Sequence, residues 1–152
     1  MSAATVSRLD DVGVALLDAA SHLLASEGPS ALTVRRIAAD AGMSTMNVYS
    51  RFGSKDGVVE QLFLKGFELL AEGMSSIDES SDPSADLSAC GQSYRRFAIA
   101  HPTLYAVMFS RVVPDFVPSP TAQEFALGTL DLLAQRADAR DDQRLRDRHG
   151  HG

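Results

Sequence analysis

The sequence predicts an all-α fold, and three observations lead to this prediction. Apolar residues recur at helical spacing in successive segments, Gly and Pro interrupt those segments, and no segment alternates apolar and polar residues as a half-buried strand does. The chain has 152 residues, 45% of them apolar and 22% charged, which suffices for a buried core of ordinary globular composition. We predict a helix-turn-helix domain at 8–55, a helical domain at 56–137 and a disordered tail at 138–152.

The first three predicted helices are short and closely spaced. Apolar residues at helical spacing define the first helix from about Asp10 to Ser26, and Gly28-Pro29 ends it. Thr33 and Ser44 are placed to cap the second and third helices with a side-chain oxygen. Between these two helices Gly42 can adopt the positive φ that a sharp corner needs. The sequence therefore predicts a helix-turn-helix at Thr33–Lys55.

Longer helices follow. A fourth helix is predicted from about Asp56 to Met74, and the polar segment 75–84 is predicted to be a loop between domains. Two more helices, meeting at Pro102, are predicted from about Ala85 onward, and Pro120 starts a last helix that ends near Ala137. Beyond it the chain is rich in Arg, Asp, His and Gly, and has too little apolar surface to offset its ordering entropy. We therefore expect a disordered tail.

The third predicted helix has one inward and one outward face. Val48 and Phe52, four residues apart, point inward, so the outward positions carry hydroxyl, amide, aromatic and basic side chains: Thr45, Met46, Asn47, Tyr49 and Arg51. Between Thr33 and Lys55 four basic residues face one acidic residue, a net charge of +3, whereas the remaining 10 basic and 19 acidic residues give −9. A cationic face on an acidic body binds phosphates and limits non-specific binding elsewhere. This pattern predicts insertion of the third helix into a DNA major groove.

Composition excludes several other classes of protein. No apolar run is long enough to span a membrane, the N-terminus lacks the pattern of a secretory signal, and Cys90 is the only cysteine, so we expect a cytoplasmic protein without a disulfide. No acid–base pair, nucleophile–base set or cluster of metal ligands has usable spacing. We therefore predict no enzymatic activity, no catalytic residue, no metal site and no cofactor.

The helix-turn-helix region resembles the N-terminal domain of TetR-family transcriptional regulators. The matching pattern extends over about fifty residues and consists of Ala19-Ala20, Gly28, Thr33, Ile37-Ala38, Ala41-Gly42, Ser44, Val48-Tyr49, Phe52 and Ser54-Lys55. The second half is similar to one subgroup of this family, through Tyr94, Phe97-Ala98, His101-Pro102, Leu104-Tyr105 and Met108-Phe109. The resemblance implies a DNA-binding head joined by a long fourth helix to a helical domain for ligand binding and dimerisation.

The resemblance also assigns roles to residues of the head. It implies that Thr45, Met46 and Asn47 face base edges, where Asn47 could pair with adenine and Met46 could contact a thymine methyl group. It implies that Tyr49, Lys55 and Thr33 hold phosphates and that the neighbouring arginines reach phosphate or the groove edge. The predicted DNA-binding residues are Thr33, Arg35, Arg36, Ser44, Thr45, Met46, Asn47, Tyr49, Arg51 and Lys55.

For the second half, the resemblance implies a small-molecule pocket that controls the spacing of two paired heads, usually to release a repressor from its operator. The candidate lining residues, for each of which ordinary core packing is an equal alternative, are Phe67, Met74, Cys90, Tyr94, Phe97, His101, Tyr105 and Met108. Family members usually continue with two more helices that form a homodimer. An alternative interpretation is therefore a truncated relic or interaction module that dimerises poorly and regulates weakly.

Overall fold

The computed structural model describes residues 9–77 and 81–150, and these two ranges contain helices, turns and loops but no β-strand. The prediction of an all-α fold is confirmed. A short 3₁₀ turn at Pro29–Ala31 was not predicted. The α-helices in the described ranges are α1 (Asp11–Glu27), α2 (Val34–Asp40), α3 (Thr45–Phe52), α4 (Lys55–Ser75), α5 (Pro83–Ala100), α6 (Pro102–Phe109) and α7 (Pro120–His149).

Side-chain caps fix the starts of several helices. Each cap is an oxygen that accepts a hydrogen bond from a backbone N–H in the first helical turn, which would otherwise be left without a partner. The predicted caps at Thr33 and Ser119 are confirmed. The capping distances are 2.8 Å from Gly13 N to Asp10 Oδ1, 3.1 Å from Arg36 N to Thr33 Oγ1, 3.2 Å from Gly57 N to Ser54 Oγ, and 3.2 Å from Ala122 N to Ser119 Oγ.

Ser44 precedes α3 as predicted, but its side chain does not cap the helix. The Asn47 N–H donates to the Ser44 backbone carbonyl at 3.1 Å, and the Ser44 hydroxyl oxygen instead accepts from the Asn47 side-chain amide at 3.2 Å. A side-chain amide three residues ahead lies on the same helical face and competes with the backbone for that hydroxyl. The predicted Ser44 cap is therefore wrong.

The corner between α2 and α3 depends on Gly42, whose φ is +68°. Residues with a Cβ rarely adopt this conformation, so glycine is the residue that the predicted corner requires. The corner brings α3 across α2, and the core beneath it includes Leu16, Ile37 and Val48, each with no exposed surface. This packing fixes which side of α3 remains outside.

Helix α4 runs from the head into the second half of the chain and packs against α5, α6 and α7. Phe63 and Phe67 lie on its buried side, with ring centroids 4.9 Å apart. Gly66, between them, lies under Met108 of α6, and a Cβ there would lie 2.4 Å from the Met108 sulfur. Glycine at this position therefore allows α4 and α6 to approach closely.

Glu60 connects α4 to the start of α7. The Ser119 N–H donates to Glu60 Oε1 at 2.7 Å, one residue before the first turn of α7. A carboxylate at a helix N-terminus satisfies an orphan donor and is favoured by the helix dipole. The half of α4 nearest the head is thus joined to the last helix.

Helix α7 extends to His149, so the predicted disordered tail from residue 138 is wrong for the described backbone, which ends at Gly150. No Gly or Pro interrupts the chain between Gly128 and Gly150, and Ala, Arg, Gln and Leu favour helices. The prediction considered only apolar burial and neglected this local preference. Residues 145–150 are exposed, including Leu145, the one large apolar side chain among them, and residues 151 and 152 lie outside the described part.

The predicted loop at 75–84 overlaps the interval between α4 and α5. Helix α5 begins at Pro83, two residues earlier than predicted, because Asp82 caps it with its carboxylate, which accepts from Ser84 N at 3.0 Å. Residues 78–80, and residue 8 at the start of the predicted head domain, lie outside the described residues.

Candidate nucleic-acid interface

The outer face of α3 presents the predicted base-reading side chains to solvent. Met46 is 71% exposed and Tyr49 is 53% exposed, an unusual degree for large apolar and aromatic side chains. Thr45 and Ser44 are exposed at the start of the helix, while Val48 is fully buried. This arrangement leaves the first turn and one side of α3 accessible to a groove.

The two arginines of α2 have different surroundings. Arg36 pairs with Glu27 of α1 through both of its terminal nitrogens, and its Nε lies 3.9 Å from Asp40. The hydrogen bond with Glu27 raises the pKa of Arg36, so the guanidinium stays charged. Arg35 is exposed and forms no ion pair with any residue that the structure describes. Arg35 is thus the arginine of α2 available to a phosphate.

Arg51 is not a free side chain on the exposed side of α3, because its guanidinium is hydrogen-bonded to Asp10 and Asn47. Its Nε and Nη2 donate to the two carboxylate oxygens of Asp10, at 2.9 and 2.7 Å, and its Nη1 donates to Asn47 Oδ1 at 2.9 Å. The hydrogen bond from Arg51, together with that from the Gly13 N–H, lowers the pKa of Asp10 to about 2. Sequence reasoning missed Asp10 as part of this site, because 41 residues separate it from Arg51.

Asn47 is half-buried, and both ends of its amide are engaged. Its oxygen accepts from Arg51, and its nitrogen donates to the Ser44 hydroxyl at 3.2 Å. Asp10, Arg51, Asn47 and Ser44 therefore form one continuous chain of hydrogen bonds, which we call the Asp10 network. The network joins the start of α1 to the start of α3.

Tyr49, Lys55 and Thr33, the predicted phosphate-binding residues, are brought together along one groove. This groove, which we call the Tyr49 groove, has a volume of about 610 Å³. Its other side is formed by the loop between α6 and α7. The full lining consists of Pro29, Ser30, Leu32, Thr33, Val34, Tyr49, Lys55, Val113, Pro114 and Asp115.

Most of the predicted ligand-binding residues lie within the packed interior of the second half. Phe67, Met74, Cys90 and Phe97 are buried. Tyr94 donates its hydroxyl hydrogen to the Tyr105 hydroxyl at 3.2 Å, and burial together with this hydrogen bond raises the pKa of Tyr94 to about 12.

The structure places His101 and Met108 beside two different cavities. His101 is exposed, with its ring centroid 5.4 Å from that of Phe97, and it lines a cavity of about 310 Å³ between α1, α4 and α6. Met108 lines a second cavity of about 380 Å³, which we call the α6 cavity. The lining of the α6 cavity is Phe63, Val107, Met108, Phe109, Arg111, Val113, Pro114, Phe116, Val117, Pro118 and Gln123.

Sequence reasoning missed most of the α6 cavity because much of its wall comes from the loop between α6 and α7. Arg111, the first residue of this loop after Ser110, has a φ of +48° although it is not glycine. Such a conformation is uncommon for a residue with a Cβ, and no local pattern in the sequence predicts it. Val113 and Pro114 line both the α6 cavity and the Tyr49 groove.

Within the described ranges, no three His, Cys, Asp or Glu side chains are grouped so that they could hold a metal ion. Over the same residues, the helices are too short or too polar for any of them to cross a membrane.

Two family models match consecutive parts of the chain. The model of bacterial regulatory proteins of the tetR family matches residues 16–62, and the tetracyclin repressor-like C-terminal domain matches residues 87–150. The first match contains the whole helix-turn-helix, and the second contains α6 and every lining residue of the α6 cavity except Phe63. No curated protein matches the chain by sequence.

Similar solved structures support the same fold. The protein SCO4313, described as a candidate regulatory protein, is 25% identical, with a TM-score of 0.73 over 84% of this chain. This chain spans 62% of the length of that protein. The TetR family transcriptional regulator PfmR from Thermus thermophilus is 20% identical, with a TM-score of 0.71, covering 87% of this chain and 71% of PfmR. A protein of unknown function from Rhodococcus sp. RHA1 is 24% identical, with a TM-score of 0.69. The match covers 88% of this chain and 71% of the Rhodococcus protein.

Proposed function

Since this chain belongs to the tetR family of bacterial regulatory proteins, we propose that it regulates transcription by binding duplex DNA through α3. The observation that carries this proposal is the exposed face at the start of α3, beside the Gly42 corner. Its polar and apolar side chains lie outside a fully buried Val48, and the helix-turn-helix segment Thr33–Lys55 has a net charge of +3 on an acidic protein. A helix presented in this way fits the major groove.

The exposed side chains divide into those for bases and those for the DNA backbone. Thr45 and Met46, at the first turn of α3, face base edges, where Met46 can cover a thymine methyl group. Tyr49, Lys55 and Thr33 lie together along the Tyr49 groove and hold phosphates, which fix register without reading sequence. Arg35 adds a further phosphate contact. Arg36 contributes less than predicted, because Glu27 already holds it.

The test is selection of binding sites from a pool of random duplexes, followed by affinity measurements on the selected site. Tyr49→Phe removes one hydroxyl from the proposed phosphate contact, and we expect roughly a fivefold loss of affinity, as for one hydrogen bond. Tyr105→Phe is the matched control, because Tyr105 lies outside the head, and its affinity should equal that of the wild type. If the Tyr49→Phe variant and the Lys55→Gln variant both bind the selected site with the affinity of the wild type, the Tyr49 groove does not hold phosphates.

We further propose that the protein is a repressor released from its operator by a small molecule in the α6 cavity. The cavity volume of about 380 Å³ is within the range of ligand pockets, and most of its lining is apolar or aromatic. Arg111 is the one charged residue among those that line it. An effector with an apolar body and an acidic group matches this lining.

Thermal unfolding with simple amphiphiles tests this effector class without a known operator. Decanoate is expected to raise the melting temperature because it binds the folded state, whereas decylamine, of the same length and opposite charge, should not. Arg111→Gln should abolish the effect of decanoate, and Arg95→Gln, on the exposed side of α5, should leave it intact. Equal stabilisation by decanoate and decylamine would refute an acidic effector.

A second copy of the chain is the proposed partner on DNA, with two heads on two half-sites about 34 Å apart. Leu127 of α7 is 62% exposed, and Leu132 on the same helix is also exposed, so apolar surface is available for an isologous contact. Matches to both halves of the chain favour this regulator over a truncated relic or interaction module. Analytical ultracentrifugation at micromolar concentration tests the proposed dimer. A monomer that selects only single half-sites would refute it.

A further inference from the structure

We propose that the Asp10 network determines which base α3 reads, by holding Asn47 so that its amide nitrogen, and not its oxygen, is offered to DNA. Asp10 is then a positioning residue for specificity although it lies outside the helix-turn-helix. The inference rests on the proposed function, since it assigns the chemistry of one base contact within the DNA-binding site.

The network begins with a carboxylate that has little freedom to move. Asp10 caps α1 by accepting from the Gly13 N–H at 2.8 Å, which fixes one of its oxygens against the helix start. The same oxygen and its neighbour receive Nε and Nη2 of Arg51, at 2.9 and 2.7 Å. Two parallel hydrogen bonds between a guanidinium and a carboxylate fix the plane as well as the position of the guanidinium. The Arg51 side chain is only 25% exposed, so the neighbouring residues also restrict it.

The third nitrogen of Arg51 then decides the orientation of the Asn47 amide. Arg51 Nη1 lies 2.9 Å from the Asn47 atom assigned as Oδ1. A guanidinium has donors and no acceptor, so the atom that faces it must be the oxygen, and the reversed amide would place two donors together. The amide nitrogen consequently points to the Ser44 hydroxyl at 3.2 Å, and one of its two N–H groups remains for a ligand.

This orientation predicts a base preference different from the one that the sequence suggests. A bidentate contact between asparagine and adenine needs the amide to accept from N6 and to donate to N7. Here Arg51 occupies one of the two acceptor positions of the oxygen, and its positive charge beside the amide disfavours the approach of a second donor such as adenine N6, whereas the remaining N–H can still donate. Guanine offers two acceptors in the major groove, O6 and N7, and thymine offers the acceptor O4, whereas adenine carries the donor N6 beside its acceptor N7 and cytosine carries the donor N4. We therefore expect guanine or thymine opposite Asn47, in place of adenine.

Binding-site selection with the whole 152-residue chain and four variants tests the proposal. Asn47→Ala identifies the base position that residue 47 reads, because only that position should lose its preference. Arg51→Met keeps a long side chain but frees the Asn47 oxygen, and adenine at this position should gain about tenfold over guanine and thymine, the lower part of the range for one bidentate contact. Asp10→Asn keeps an N-cap but weakens the hold on Arg51, and should shift the preference in the same direction by less.

Glu27→Gln is the matched control, because it weakens another arginine pair of the same head, that of Arg36, without contact to Asn47. Its selected site should equal that of the wild type. Adenine opposite Asn47 in the wild type, or an unchanged preference in both Arg51→Met and Asp10→Asn, would overturn the proposal. If the Arg51→Met variant loses the same affinity for every DNA sequence, Arg51 is a phosphate ligand, and this result would also overturn the proposal. Failure of the wild type to enrich any sequence would instead refute DNA reading itself.

Discussion

Gly66 is the point at which a single added methyl group should disturb the contact between α4 and α6. A Cβ at this position would lie 2.4 Å from the Met108 sulfur and 2.8 Å from its Cγ, so Met108 must move. Gly91, in the interior of α5, has open space where its Cβ would be. Gly66→Ala and Gly91→Ala are therefore the same chemical change at a crowded and at an open helical position.

The expected free energies follow from two effects. Alanine in place of glycine inside a helix adds about 0.5–1 kcal/mol to the free energy of unfolding, and Gly91→Ala should show this gain. Gly66→Ala has the same gain but inserts a methyl group into a packed contact, which costs about 1–3 kcal/mol. Gly66→Ala should therefore be about 1–3 kcal/mol less stable than Gly91→Ala.

Urea unfolding followed by far-UV circular dichroism measures both variants against the wild type. Met108→Ala in the Gly66→Ala background supplies a further check, because it removes the clashing atoms. The double variant should lose at least about 1 kcal/mol less than the two single losses added together. Equal stability of Gly66→Ala and Gly91→Ala, or losses that add within about 0.5 kcal/mol, would refute a close contact between α4 and α6 at this point.

Three further predictions concern titration and capping. Burial and the hydrogen bond with Tyr105 raise the pKa of Tyr94 from 10.0 to about 12. The contribution of Tyr94 to the free energy of unfolding is therefore present below pH 10 and is lost as the pH rises toward 12. Unfolding experiments on Tyr94→Phe should show a smaller loss of stability over this interval. The pKa of Asp10 is lowered from 3.8 to about 2, so its contribution is present above pH 4 and lost as the pH falls toward 2; Asp10→Asn should show less acid destabilisation than the wild type over that interval. Ser54→Ala removes the cap of α4 and should lower the free energy of unfolding by about 1 kcal/mol, with Ser88→Ala on the exposed side of α5 as a control that changes little. A loss for Ser88→Ala equal to that for Ser54→Ala would argue against the cap.

Local sequence signals predicted the head well, because they act over a few residues. The caps at Thr33 and Ser119 and the corner at Gly42 each depend on one side chain or one φ angle. The inward position of Val48 follows from helical spacing alone. Such features need no knowledge of how distant parts of the chain meet.

Features formed by residues distant in the chain could not be predicted in this way. Arg51 and Asp10 are 41 residues apart, and only the packing of α3 against the start of α1 brings them together. The sequence therefore presented Arg51 and Asn47 as free side chains, whereas the fold engages both. The helical tail was a different error, since its signal was local helix preference and the prediction weighed only burial.

The second half shows why apolar periodicity does not locate a cavity. Phe67 and Phe97 have the spacing of buried residues, and a packed interior and a ligand pocket both require that spacing. The structure buries both residues in one apolar core and forms the α6 cavity beside Met108, largely from a loop without periodicity. A cavity depends on how elements end and meet, which composition and spacing do not encode.

Val113 and Pro114 serve two surfaces at once, as shared wall of the α6 cavity and of the Tyr49 groove. If the protein is the effector-released repressor that we propose, selection on effector recognition and selection on operator affinity act on the same short loop. A variant library aimed at new effectors should carry side effects on basal repression when it includes these two positions. Phe109, Phe116 and Gln123 line the α6 cavity but not the Tyr49 groove. Libraries restricted to these three positions should alter effector choice with little change in basal repression.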